Sequence, residues 1–212
     1  VRVDKASERD EAQRFIRSEA EAVAYVADQV DDDFFALVDQ IMATSGKVIV
    51  SGAGTSGTIA RRLAHLLNVS GTPAFYQNPS DALHGSLAVA NENDLLIALS
   101  KGGDSTELVE FVSRVKDRGT FTVALTGQLT SPLARGCDLV VRVSSDAADL
   151  GGIIAMGSTL ATAAWGDALA VVLMSRRGYT WDRVLHSHPG GAVGKGAEEL
   201  LEVVTGREDG AH

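Results

Sequence analysis

Val48-Ile49-Val50-Ser51-Gly52-Ala53-Gly54-Thr55-Ser56-Gly57 is the stretch on which the fold turns. A short β-branched apolar run passes into a Gly/Ser/Thr loop. A helical pattern follows at once: Ile59, Leu63, Leu66 and Leu67 share a face, with Arg61 and Arg62 opposite. Strand, glycine-rich turn and helix start together make an anion site. Backbone N–H groups point outward there and the helix dipole favours negative charge. Glycines let the backbone approach a ligand, and hydroxyls add donors without bulk. A tight turn that merely packs a helix on a sheet would carry the same letters.

The chain repeats the device. Leu95-Leu96-Ile97-Ala98-Leu99-Ser100-Lys101-Gly102-Gly103-Asp104-Ser105 is again an apolar run, a Ser, glycines and a Ser. Leu108, Val109, Val112 and Val115 continue it as a helical pattern. Ser51 matches Ser100, Gly54 matches Gly103 and Ser56 matches Ser105, all at one offset. Such loops in register suggest neighbouring strand ends that cradle one anionic ligand. The strand pattern Pro73–Gln77 ends without an acidic residue to hold a ribose, and the first loop lacks the G-x-x-x-x-G-K-[ST] pattern. Both absences argue against a dinucleotide and a nucleoside triphosphate. A small phosphorylated metabolite remains.

The bulk properties fit one domain. The chain has 212 residues, 45% apolar and 22% charged, an ordinary soluble balance with room for one sizeable core. Its net charge of −9 disfavours nucleic acid as a partner. The single cysteine, Cys137, excludes an internal disulfide, offers no metal cluster and fits a reducing cytoplasm. No signal-peptide pattern opens the chain. The most apolar helical stretch, Ala155–Met174, contains Asp167 and many small residues, and reads as a buried helix with no membrane span.

Residues 1–11 are charged and expected to fray. From Ala12 to Val30, Phe15, Ile16, Ala20, Val23, Val26, Ala27 and Val30 recur at helical spacing. Asp31-Asp32-Asp33 can cap a second helix, Phe34–Ala43, and Gly46 ends this prelude. Strands are then expected at 47–51, 73–77, 94–99, 120–125 and 138–143, and helices at 56–69, 105–118, 131–135 and 155–175. The alternation predicts an α/β fold: a three-layer α-β-α sandwich on a five-stranded, mostly parallel sheet, preceded by N-terminal helices. Ligands of such sheets bind at the carboxyl ends of the strands, where both Ser/Gly loops fall. The loop Ser144–Gly152 is polar and follows a strand, so it either faces the ligand or simply connects. A short helix at Tyr179–Leu185, the turn His186-Ser187-His188-Pro189-Gly190-Gly191 and a last helical pattern through Val204 complete the chain. The expected divisions are a helical extension over 1–45, packed on the domain or on a partner subunit, a phosphate-binding domain over 46–204 and a disordered tail over 205–212.

Ser51-Gly-Ala-Gly-Thr-Ser-Gly, Gly71-Thr-Pro-Ala-Phe, Leu83-His-Gly, Ala98-Leu-Ser, Ser131-Pro-Leu-Ala and Gly166-Asp-Ala-Leu-Ala resemble the sugar isomerase (SIS) domain. The closing His188-Pro-Gly-Gly narrows the resemblance to its arabinose 5-phosphate isomerase branch, from about Asp33 to about Lys195. Members of that branch often carry C-terminal CBS modules, and this sequence ends before such modules would begin. The resemblance implies a flavodoxin-like fold and an aldose–ketose isomerase that works on a sugar phosphate through an enediol, with no cofactor and no metal. It implies a phosphate cradle at Gly54, Thr55, Ser56, Ser100, Lys101, Gly102, Gly103 and Ser105. It implies catalytic roles for His188, His84, Asp104 and Asp146, and a homotetramer with sites at subunit interfaces. A phosphosugar sensor without catalysis, or an isomerase of another sugar phosphate such as a hexulose phosphate, are the alternatives.

The chain departs from the family pattern at the site itself. The family's Lys before the cradle serine is Thr55, and its Ser-Asn-Ser-Gly-Glu-Thr loop is Ser100-Lys-Gly-Gly-Asp-Ser. Glu has thus become Asp104, a cradle serine has become Gly102, and Lys101 is new, with a charge that can replace the one missing at Thr55. Asp146 takes the place of a family glutamate after the fifth strand, and Ser86 that of an aspartate after His-Gly. A histidine can give and take a proton near neutral pH, and a Pro-Gly-Gly turn is poor core material, so His188 is the first candidate for acid–base work. His84 could instead bond a loop carbonyl, Asp104 could be a helix N-cap, and Asp167 reads as a buried structural acid. His65, His186, Trp165 and Trp181 read as bland or packing residues.

Overall fold

Strands that are apolar on both faces must be covered on both, and that requirement sets the layers here. The computed structural model describes residues 4–145, 148–190, 196 and 203. In chain order the elements are α1 (Lys5–Val26), α2 (Asp32–Ala43), β1 (Val48–Gly52), α3 (Gly54–Val69), β2 (Ala74–Gln77), α4 (Pro79–Leu83), β3 (Leu95–Leu99), α5 (Thr106–Lys116), β4 (Phe121–Thr126), α6 (Pro132–Gly136), β5 (Leu139–Arg142), α7 (Gly157–Arg176) and α8 (Trp181–His186). The five strands pair in the order β2-β1-β3-β4-β5, and every pair is parallel. Alternate residues of each strand face opposite layers. Val48, Val50, Leu95, Ile97, Leu99, Val123, Leu125 and Val141 pack against α2, α3 and α7. Ile49, Leu96, Ala98 and Ala124 pack against α4, α5 and α6, where Leu108, Phe111, Val112, Val115 and Leu133 are buried. The result is the expected three-layer sandwich on a parallel sheet.

The N-terminus departs from expectation. Lys5–Val26 is helical from its first charged turn, and the Asp4 carboxylate accepts the Ala6 N–H at 3.1 Å as its cap. Residues 5–11 have no apolar periodicity, but they are mostly good helix formers behind an Asp cap, and those local preferences prevail over fraying. The helix stops at Val26, and Ala27–Gln29 is a 3-10 turn. In α1 only Ala22 and Val26 are buried, and the helix packs on α7. Asp31 caps α2 as expected, accepting from Asp33 N and Phe34 N at 3.1 and 3.2 Å. The last helical pattern and the tail fall outside the described residues, apart from Gly196 and Val203.

By length and composition α7 is apolar enough to cross a membrane, but its Ala161, Trp165, Leu169 and Leu173 face lies in the core. It crosses α3 closely at Gly166, where a Cβ would meet Leu63 at 3.2 Å. Asp167, expected to be buried, is half-exposed and forms a double-pronged ion pair with Arg62 of α3, one contact at 2.9 Å. The helix turns Asp167 off the buried Trp165 face toward the rim of α3, where a cation from the neighbouring helix can reach it. Arg176 and Arg177 anchor the other end of α7: Arg176 pairs with Asp39, and Arg177 donates to Thr72 Oγ1 at 3.0 Å and to the Ile41 carbonyl at 3.3 Å. Thr72 and Ile41 precede β2 and β1, so α7 runs from the carboxyl end of the sheet to its amino end.

Trp165 is 1% exposed and meets Phe34 of α2 edge to face, with ring centroids 5.1 Å apart. It joins α2 and α7 over the sheet. Trp165→Ala should lower stability by about 3–5 kcal/mol, the range for large-to-small changes in a packed core. Urea unfolding measures it, and a loss under about 1 kcal/mol would show that this contact does not hold α2 to α7.

Candidate functional site

A cavity of about 250 Å³ opens at the carboxyl end of the sheet. Leu99 and Leu125 line it from the ends of β3 and β4. Thr55, Ser56 and Ile59 of α3 form one side, Ser100 and Lys101 the next, and Gly127 and Gln128 follow β4. Arg142, Val143, Ser144 and Ser145 come from the end of β5, and Ala155, Ser158, Thr159 and Thr162 from the start of α7. β1 lies between β2 and β3, and the helices that follow β1 and β3 leave to opposite layers. Their divergence opens the crevice.

The anion site expected from the sequence rests on the first turn of α3. Ala53 is its N-cap and offers no side-chain cap, so the leading N–H groups have no partner inside the helix. Gly54 starts the helix at φ +54°, a conformation that favours glycine. Gly57 lies so close to the end of β1 that a Cβ there would stand 2.7 Å from the Gly52 carbonyl oxygen. That contact seats the helix terminus directly on the strand end. The second loop is built differently despite its matching letters. Gly103 is buried at φ +72°, and a Cβ would meet Ser131 Oγ at 2.1 Å. The Ser100 hydroxyl accepts the Gly103 N–H at 3.0 Å, which leaves its own O–H to donate. Ser105 is the N-cap of α5 without a side-chain cap bond, whereas its counterpart Ser56 sits inside α3.

The start of α7 is occupied by the protein itself. Asp149, with a fully buried side chain, accepts the N–H groups of Met156 at 2.8 Å and Ser158 at 3.0 Å, and Lys101 Nζ pairs with its other oxygen. Burial pushes the Asp149 carboxyl up, but the bonds from Lys101, Ser158 and Met156 outweigh it and hold the group down at about 2. The Lys101 charge is therefore shared with Asp149 and is not free for a ligand. Burial also pushes the Cys137 thiol up to about 12, which leaves it a poor nucleophile at neutral pH.

Of the residues expected at the cradle, Thr55, Ser56, Ser100 and Lys101 line the cavity. Gly54, Gly102, Gly103 and Ser105 flank it in the same loops and are not lining residues. Of the expected acid–base groups, His84, Asp104 and His188 do not line the cavity. Asp104 is exposed beside the second loop, and the cap position of α5 is Ser105, not Asp104. His84 is exposed at the end of α4. Asp146 lies outside the described residues. His188 follows α8, beyond the 20 residues of α7, which lead about 30 Å away from the cavity. Its Nδ1 lies 2.6 Å from the Val184 carbonyl oxygen, which can only accept. That contact calls for a proton on Nδ1, and Nε2 makes no hydrogen bond with the described residues. Ser144 and Ser145 line the cavity from the polar loop that the sequence leaves as ligand-facing or connecting, whereas Gln128, Arg142, Ser158, Thr159 and Thr162 are cavity residues outside every sequence motif. Arg142 alone carries a signal: it is the lone charge in an apolar strand, at its carboxyl end.

Residues 41–180 match the family model of the SIS domain. The chain is 36% identical to arabinose 5-phosphate isomerase KdsD of Pseudomonas aeruginosa over 186 residues, 87% of this chain and 57% of that protein. It is also 36% identical to KdsD of Escherichia coli K12 over 179 residues, 84% of this chain and 54% of that one. The chain thus spans little more than half the length of these relatives. Among solved structures it resembles a sugar-phosphate isomerase homologue of Listeria monocytogenes (TM-score 0.85, 34% identity, 89% of this chain and 100% of that one). It also resembles a protein of Escherichia coli CFT073 solved in complex with a sugar phosphate (TM-score 0.84, 29% identity, 88% of this chain and 100% of that one).

The depressed Asp149 carboxyl gives a signed pH dependence. Its folded value, about 2, lies below the ordinary aspartate value near 3.9, so its stabilisation is complete above about pH 4 and is lost as pH falls toward 2. The shift corresponds to about 2–3 kcal/mol. Asp149→Asn should cost about that much at pH 7, and the gap between variant and parent should close as pH falls from about 4 to about 2. Urea unfolding across this range tests it, and a gap independent of pH would refute the assignment.

Proposed function

Because the chain belongs to the SIS domain family, we propose that it is an aldose–ketose isomerase of a sugar phosphate, resembling the arabinose 5-phosphate isomerases. The observation that carries this reading is the open N-terminus of α3, where Thr55 and Ser56 face a cavity shared with Ser100. A phosphate there meets unpaired N–H groups and hydroxyls, with Gly54, Gly102, Gly103 and Ser105 shaping the two loops around it. The chemistry beyond the phosphate is a proton transfer. A base removes the proton at C2 of the open aldose, an enediol forms, and the proton returns at C1 while the hydroxyl proton passes from the C2 oxygen to the C1 oxygen.

Among the described residues the cavity wall holds no histidine and no carboxylate, and Asp149, which the lining Lys101 reaches, is held by three partners. This favours a site completed at the interface of a homotetramer, where His188 of one copy, with His84, Asp104 or Asp146, serves the cavity of another. His188 suits the task because an imidazole can both give and take a proton, and its Nε2 makes no hydrogen bond with the described residues. The same bare wall favours the second reading, a phosphosugar sensor that binds without turnover.

Incubation with D-arabinose 5-phosphate in D2O separates the two. The isomerase yields the 2-ketose phosphate with deuterium incorporated at C1, and a panel of other aldose and ketose phosphates maps the substrate. Tight binding with no product anywhere in the panel would establish the sensor. His188→Ala should lower turnover by roughly two to four orders of magnitude, the scale of a lost acid–base group, and leave phosphate binding intact. Near-full turnover in that variant would remove His188 from the chemistry.

A further inference from the structure

The β5 side of the cavity carries a hydroxyl with nothing to bond. Ser145 is 3% exposed, it lines the cavity, and its Oγ has no hydrogen-bond partner among the described residues. Buried hydroxyls are seldom left so, and those that are ask for a partner from outside the fold.

The segment that presents it is held firmly. Gln29, in the turn after α1, donates from Nε2 to the Ser144 carbonyl at 2.7 Å and accepts the Ser144 N–H with Oε1 at 2.9 Å. One side-chain amide thus makes the paired bonds that another strand would make, just where β5 has ended. The Gln29 carbonyl in turn accepts from Trp165 Nε1 at 3.5 Å, which ties the arrangement to the core. Arg142 lines the same wall and is exposed, and its guanidinium forms no ion pair or hydrogen bond with the described residues.

We propose that Arg142 and Ser145 form the subsite for the polyhydroxy chain of the sugar phosphate, while Thr55, Ser56 and Ser100 hold the phosphate on the other side of the cavity. The proposal rests on the phosphosugar reading above and adds which residues read the sugar. β5 lies two strands from β3, which leads into Ser100, and three from β1, which leads into Thr55 and Ser56, so the strand ends stand on the order of 10–15 Å apart and their loops meet around one cavity. A short carbon chain with its phosphate bridges that span. A serine hydroxyl both donates and accepts, as a sugar hydroxyl does, and the guanidinium offers only donors, which suit the carbonyl oxygen of an open aldose or ketose. Gln29 acts here as a positioning residue, since it touches Ser144 and does not line the cavity.

Titration calorimetry of the full chain with inorganic phosphate and with D-arabinose 5-phosphate tests this. The parent should prefer the sugar phosphate. Ser145→Ala and Arg142→Gln should each weaken the sugar phosphate about 5- to 20-fold, the scale of a lost hydrogen bond, and leave inorganic phosphate within about twofold. Gln29→Ala should shift the same preference and speed hydrogen exchange at the Ser144 amide. If either cavity variant weakens both ligands equally, that residue belongs to the phosphate grip and the subsite is refuted. Unchanged affinities in Ser145→Ala would also refute it, by leaving that hydroxyl to water. If the parent binds neither ligand, the phosphosugar reading fails and takes the subsite with it.

Discussion

Every strand of this sheet is parallel, and most are buried on both faces, so each connection must cross a layer of helix before the next strand can pair. That constraint decides where function can be. It sends the loops after β1, β3, β4 and β5 to one end. It also makes β1 the strand from which the order grows both ways, toward β2 and toward β3. α3 then lies in one layer and α5 in the other, and the space between their starts is not filled by either helix.

Within that space, charge is distributed by who owns each helix terminus. The start of α7 is closed by Asp149, whose charge is balanced by Lys101. The start of α3 is left without a cap. A dianion at this end of the sheet would therefore meet one terminus already satisfied and one still open, and the open one adjoins the hydroxyls of Ser56 and Ser100. The net charge of −9 does not oppose this, because the positive potential is local and built from backbone dipoles and a few side chains. Lys101, the residue that departs from the family loop, lines the cavity as expected and at the same time pairs with the protein's own carboxylate, Asp149.

How much is legible in the sequence differs between backbone and side chains. The glycine positions, the alternation of strand and helix and the Asp31 cap all follow from local rules, because backbone sterics and hydrogen-bond needs act within a few residues. The helical start at Lys5 escapes a reading by hydrophobic period, because its only support is propensity and a cap. Asp167 escapes it because apolar neighbours in sequence imply burial, whereas its partner, Arg62, lies 105 residues away.

The sequence by itself determined the parallel α/β sandwich, the gathering of the Ser/Gly loops at the carboxyl end of the sheet and the glycine-led helix start at Gly54-Thr55-Ser56, since each is encoded in a short window with a fixed physical period or turn requirement. Only the tertiary structure decided that Lys101 answers to Asp149, that Gln29 pins Ser144, that the Ser145 hydroxyl lies at the cavity unpaired among the described residues, and that α7 carries His188 away from it. These outcomes depend on residues distant in the chain and on the direction in which each helix leaves the sheet, and no local pattern specifies that.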